Sequence, residues 1–162
     1  MRETRRERQH AQVVEEIKDI ARQQMAVHGA ASLSLGAIAR AMGFTTPALY
    51  RYFDNRDALV TALIIDAYED LGRGTAQAVE STSSEDIDTR FLAIVYAYRR
   101  WALAHPQDYV LVHGAVFPGY VPPMDRIAMA ALGTLAHFVT LLQDAQRLDR
   151  LKIPSAYHQV NP

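Results

Sequence analysis

The residues best equipped for chemistry in this chain stand close together. Between positions 45 and 56 the sequence places Thr45, Thr46, Pro47, Tyr50, Arg51, Tyr52 and Arg56. Hydroxyl and guanidinium groups are donors suited to phosphate oxygens and base edges. Nothing in the sequence supplies a catalytic set. There is no Gly-rich phosphate loop, no GxSxG, no HExxH and no carboxylate pair at useful helical spacing. Asp66, Glu69 and Asp70 read as a solvated helix face. The chain has no cysteine, which excludes disulfides, thiolate zinc sites and cysteine nucleophiles. His113 and His137 lack the spacing of a metal pair. The expectation is a binding protein rather than an enzyme, with no metal and no cofactor.

What must position these donors is a series of helices. Apolar residues recur at three and four positions almost throughout, so the expected fold is all-α. An N-terminal three-helix head would be linked by a long helix to a C-terminal helical half. Val13, Ile17, Ile20, Ala21 and Met25 stripe the first helix, which should end near His28-Gly29. A short second helix over about 35–42 has Ser34 as its candidate cap and turns Leu35, Ile38, Ala39 and Met42 inward. Gly43 stops it. Thr45 or Thr46 should cap a third helix of about seven residues, with Pro47 in its first turn and Leu49 and Phe53 inward. Asp54 is expected to cap the fourth helix, with Asp57 completing a box-like pair. Gly72 and Gly74 should weaken its far end. Residues 80–88 form a polar break, a candidate boundary between halves. Further helices are expected over 86–104, 106–113 and 124–149, with an irregular tail beyond. By function the division falls at residues 1–56 and 57–162.

The 162 residues carry a net charge of −1, which conceals an asymmetry. Residues 1–60 hold 9 Arg and Lys against 7 Asp and Glu, and residues 61–162 hold 8 against 11. Arg2, Arg5, Arg6 and Arg8 open the chain. A basic end on a mildly acidic body suits an anionic partner, and equally a solvated tail. No apolar run is expected to reach the roughly 18 residues of a membrane span. The Arg-rich start lacks the apolar segment of a signal peptide. These features point to the cytoplasm and away from a membrane partner.

The second and third helices, joined by Gly43-Phe44-Thr45, have the pattern of a helix-turn-helix. A recognition helix needs only its first turn against base edges, so it can be short. A face of Thr46, Tyr50, Arg51 and Tyr52 makes sense against a duplex; the tyrosines could also pack on neighbouring helices. Residues 34–59, SLGAIARAMGFTTPALYRYFDNRDAL, resemble the helix-turn-helix signature of the TetR family of transcriptional regulators. The resemblance rests on Ile38-Ala39, Met42-Gly43, Thr45, Leu49-Tyr50, Tyr52-Phe53 and a basic residue before an acidic-Ala-Leu helix start. It implies double-stranded DNA as partner, with Ser34, Thr45, Thr46, Pro47, Tyr50, Arg51, Tyr52 and Arg56 as the contact set. Thr45, Tyr50 and Arg56 would bind phosphate. Thr46, Pro47 and Arg51 would approach bases, and Tyr52 backbone or a base edge. Two positions depart from the family pattern. Gly36 stands where many members have a basic or polar residue, and Arg56 replaces the commoner lysine.

Trp101, His105-Pro106, Tyr109, Gly114 and Pro118-Gly119-Tyr120 are similar to the C-terminal domain type named for Trp, His and Gly. That pattern tells nothing about a ligand; it is the TetR-family resemblance that implies a small-molecule effector, of unknown identity, in this half. Tyr68, Tyr98, Trp101, Tyr109, His113, Phe117, His137 and Phe138 are candidates to line its pocket; the other reading is that these aromatics are core. Asp54-Asn55 leaves no slack between the third and fourth helices, so a filled pocket would swing the fourth helix like a pendulum. The last long helix is apolar nearly all round, as part core and part homodimer interface would require. Together these point to a ligand-responsive regulator, a repressor by family habit, on a palindromic operator. The alternative is a helical dimerisation or interaction module without specific DNA binding.

Overall fold

Thr4 opens the first helix, α1 (Arg5–His28), through a reciprocal cap. Its hydroxyl accepts from the Glu7 amide at 3.2 Å, and the Glu7 carboxylate accepts from the Thr4 amide at 2.7 Å. That backbone hydrogen bond, with the one from the hydroxyl, holds the Glu7 carboxyl below its ordinary pKa. α1 ends at Gly29, whose φ of 79° lies where glycine is favoured. A single 3₁₀ turn over Ala30–Ser32 leads to α2 (Leu35–Ala41), where Ser34 accepts from the Ala37 amide at 3.4 Å. The computed structural model describes residues 4–82, 86–114 and 118–151, and among these every regular element is helical.

Gly43, at φ 69°, turns the chain into α3 (Thr46–Leu49). α3 is shorter than the expected seven residues. Its closing hydrogen bonds are long, 3.4 Å each for Leu49 N to Thr45 O, Tyr50 N to Thr46 O and Arg51 N to Ala48 O. Tyr50 to Tyr52 continue as a turn. α4 (Arg56–Glu80) follows. Its cap is Asn55 and not Asp54: Asn55 Oδ1 accepts from the Ala58 amide at 2.8 Å. The Asp54–Asp57 pairing expected from sequence is therefore corrected by one position. Both residue types cap well, and only the turn geometry decides between them. The far end of α4 does not break at Gly72 or Gly74 and runs on to Glu80. α5 (Ile87–Ala104), capped by Asp86, α6 (Pro106–His113) and α7 (Met124–Arg147) complete the order. A Cβ at Gly114 would meet the Val110 carbonyl at 2.6 Å, so the end of α6 requires glycine.

The chain packs as two compact units: Met1–Ala67 with Ala104–Ala128, and Tyr68–Leu103 with Met129–Pro162. In the first, Ile17, Ile38, Leu49, Leu59 and Leu63 are fully buried. Each withdraws a side chain worth roughly 1.5–3 kcal/mol. The Thr61 and Tyr120 hydroxyls share a hydrogen bond of 2.9 Å, tying the residues before α7 to α4. In the second unit Ile87, Ile94, Leu141 and Ala145 form a cluster with Val79 and Phe138 against it. Thr134 on α7 donates to the Tyr68 carbonyl at 2.6 Å, and a Cβ on Gly72 would stand 3.2 Å from the Thr134 hydroxyl. Gly72 is a place of close backbone approach between α4 and α7, which is why glycine is kept inside a helix there.

The expectation of no span-length apolar segment needs correcting at α7. Its 24 residues, rich in Ala and Leu, are long and apolar enough, by length and composition, to cross a membrane, with only 17% of its most apolar 18-residue stretch buried. Met129, Leu132, Leu135, Val139 and Leu142 are exposed along it. Residues 132, 135, 139 and 142 alternate spacings of three and four, the pattern of a helix seam.

Candidate nucleic-acid interface

The helix-turn-helix is held from behind. Leu49 is fully buried and Phe53 nearly so, while Thr45, Thr46, Pro47, Tyr50 and Arg51 face solvent. Tyr50 leaves 49% of its surface exposed, a large apolar ring with a donor at its tip. The tyrosines part company here. Tyr52 is half-buried, with its ring 4.9 Å from that of His10 on α1, tilted by 33°. Thr45 takes the N-cap position of α3 without a side-chain hydrogen bond there. Ser34 is exposed but engaged as the cap of α2. Arg56 is half-buried and its Nη1 donates to the Ala31 carbonyl at 3.4 Å, so this arginine also braces the connection after α1.

Gly36 leaves a gap ringed by polar atoms. A Cβ there would lie 3.7 Å from Arg40 Nη1, 3.8 Å from Ser34 Oγ and 3.9 Å from Thr46 Oγ1. Arg40 was not singled out from the sequence; only its position in the last turn of a helix-turn-helix could have suggested it.

Sequence reasoning also missed the charge network behind the head. Lys18 is buried, yet its ammonium lies 2.6 Å from both Glu15 and Asp66. Arg22 reaches Asp66 at 3.4 Å, Asp108 on α6 at 3.3 Å and Asp19 at 3.3 Å. Burial lowers the Lys18 pKa, but hydrogen bonds to Asp66 and Glu15 outweigh it and the net shift is upward. For Arg22 burial is likewise outweighed, first by the charge of Asp108. Asp66 and Asp70 are thus no mere solvated face. Asp70 accepts from Trp101 Nε1 at 2.9 Å. The available signal was positional, since Lys18 and Arg22 lie one helical turn apart beside Ile17 and Ala21.

The pocket candidates scatter. A groove of about 500 Å³ in the second unit is bordered by Tyr68, Glu69, Arg73, Met129, Thr134 and His137, among others. Of the eight candidates it gathers Tyr68 and His137. Trp101 is buried on Asp70, and Phe138 packs on the Ile87 cluster. Tyr98 is half-buried on α5. Tyr109 and His113 belong to the first unit, with their rings 4.8 Å apart. Phe117 lies outside the described residues.

Comparison with known proteins places the chain. Bacterial regulatory proteins of the tetR family match over residues 17–63, and a tetracyclin repressor-like C-terminal domain matches over 91–159. The Trp-His-Gly type remains a resemblance. HTH-type transcriptional regulator Rv1816 of Mycobacterium tuberculosis (strain ATCC 25618 / H37Rv) is 39% identical over 127 residues, 78% of this chain and 54% of that protein. The chain thus spans about half the length of the curated relatives it matches. The crystal structure of SCO4313, assigned as a regulatory protein, is 43% identical with a TM-score of 0.77, covering 90% of this chain and 71% of that one. A protein of unknown function from Rhodococcus sp. RHA1 is 25% identical, with a TM-score of 0.74 and coverage of 90% and 73%. A buried anchor under an exposed Thr-Thr-Pro-Tyr-Arg turn, matched at both ends of the chain, identifies it as a member of the TetR family of bacterial regulators.

Proposed function

We propose that the chain is a DNA-binding transcriptional regulator, reading a palindromic operator as a homodimer and changing its grip when a small molecule is bound. Residues 1–56 read the duplex; residues 57–162 hold the effector and pair with a second copy. The observation that carries this is the exposed donor set Thr45, Thr46, Tyr50 and Arg51 over the buried Leu49 and Phe53. Such a turn presents hydroxyls and a guanidinium to phosphate and base edges. The relatives' designation as HTH-type transcriptional regulators supports the same reading. Ser34, Pro47, Tyr52 and Arg56 complete the contact set, with Arg56 dividing its donors between phosphate and Ala31.

Effector binding is assigned to the groove between α4 and α7, with Tyr68 and His137 on its walls. Because α4 follows the recognition turn directly, a filled groove would act on the head through α4. Pairing is assigned to the exposed α7 seam, and action in the cytoplasm and repression follow family habit. Anisotropy binding to a library of short palindromic duplexes, with Tyr50→Ala beside the native chain, tests the reading. Selective, salt-sensitive binding lost in the variant is the expected result. Folded, self-associated protein that binds no duplex at low salt would leave the interaction-module reading in its place.

A further inference from the structure

We infer that a notch between α1 and the recognition turn grips one backbone phosphodiester of the duplex, through Arg6 and Arg51. This rests on the DNA-reading proposal. The notch, of about 400 Å³, is lined by Arg6, Gln9, His10, Arg51 and Tyr52. Two guanidinium groups from separate elements open on one space, and no carboxylate among the described residues lines it. The acid closest in sequence on α1, Glu7, is turned to the helix start, where it accepts from the Thr4 amide. Among the described residues neither Arg6 nor Arg51 forms an ion pair, whereas Arg22, Arg73, Arg90, Arg147 and Arg150 do. Two like charges facing one cavity repel, and an anion between them turns that repulsion into attraction. The planar guanidinium fork matches phosphate oxygens, and Gln9 adds an amide donor. His10 is a positioning residue: its ring, 4.9 Å from that of Tyr52, backs the wall on which Tyr52 stands. The phosphodiester is favoured over a free anion because Arg51 is continuous with the exposed Thr46, Pro47 and Tyr50 surface. Arg6 would extend the footprint beyond the helix-turn-helix onto α1.

The test measures anisotropy of the full chain with a duplex it selects and with a random duplex, at about 50 and about 200 mM salt. Arg6→Ala and Arg6→Lys run beside the native chain. Arg6 is exposed on a helix and alanine is a good helix former, so folding is not at stake. Arg6→Ala should weaken both duplexes by the same factor. Its affinity loss between the two salts should be about tenfold smaller than the native loss, one counterion fewer being released at each of the two heads of the dimer. Arg6→Lys should keep the native salt dependence. Unchanged affinity and salt dependence in Arg6→Ala would overturn the inference and leave the DNA reading standing. So would a change of preference between duplexes, which marks a base reader. So would duplex binding that is unchanged in Arg6→Ala while that variant loses binding of inorganic phosphate, which marks a free-anion site. If the native chain bound neither duplex, the DNA reading itself would fall and this inference with it.

Discussion

Lys18 has its ammonium 2.6 Å from Asp66 inside the first unit, and it shows how much a single buried charge can hold. Replacing it with methionine should cost about 2–3 kcal/mol in urea unfolding, below the usual range for breaking a buried pair because Arg22 still faces Asp66. A loss under about 0.5 kcal/mol would show that water reaches the pair. The raised Lys18 pKa sets the pH window. Its contribution is complete below the ordinary lysine value and fades only as pH rises through the higher folded value, so neutral pH should not touch it. The caps behave oppositely. Glu7 and Asp86 have lowered pKa values through backbone hydrogen bonds, to Thr4 and Thr89 respectively. Their support is present above the ordinary carboxylate range and lost as pH falls through the lower folded values, which amide exchange at the starts of α1 and α5 would report. At the start of α4, Asn55→Ala should cost about 1 kcal/mol and Asp54→Ala far less; equal losses would restore Asp54 as the cap.

At the scale of elements, the order of the helices was legible because three- and four-residue apolar spacing survives in the long ones, while the four-residue α3 was marked by its turn glycine and Pro47. The head was legible in more detail than the rest. A turn glycine, capping hydroxyls and Leu49-Phe53 fix a local structure, and local structure is what sequence spacing encodes. Which side chains share a groove was not legible. Tyr68 and His137 meet across α4 and α7 only because Gly72 and Thr134 set the approach of two helices far apart in sequence. The two glycines of α4, alike in sequence, should separate by mutation. Gly74→Ala has open space and should stabilise by about 0.5–1 kcal/mol. Gly72→Ala gains the same propensity but presses on Thr134, and Gly72→Val should be destabilising outright, by about 1–3 kcal/mol. Thermal unfolding of the three variants decides it, and equal shifts for Gly72→Ala and Gly74→Ala would refute the close approach.

For the molecule as a whole, the proposed pairing rests on the exposed residues of α7. Leu132, Leu135, Val139 and Leu142 form a seam, and a charge in its middle should abolish self-association at micromolar concentration. Sedimentation of Leu135→Glu beside the native chain measures this; an unchanged dimer would move the interface elsewhere. α3 carries a different consequence. On the DNA-reading proposal, the exposed Tyr50 and Arg51 side chains stand on a short turn closed by bonds of 2.9 to 3.4 Å and become ordered only against the duplex. Freezing Tyr50 and Arg51 then falls to the act of association, an entropic cost of about 1 kcal/mol for each side chain that added salt does not alter. Calorimetry would show it as lost entropy against a favourable enthalpy. Stiffening one turn of backbone would therefore tune affinity while every donor and every charge on the reading surface stayed where it is.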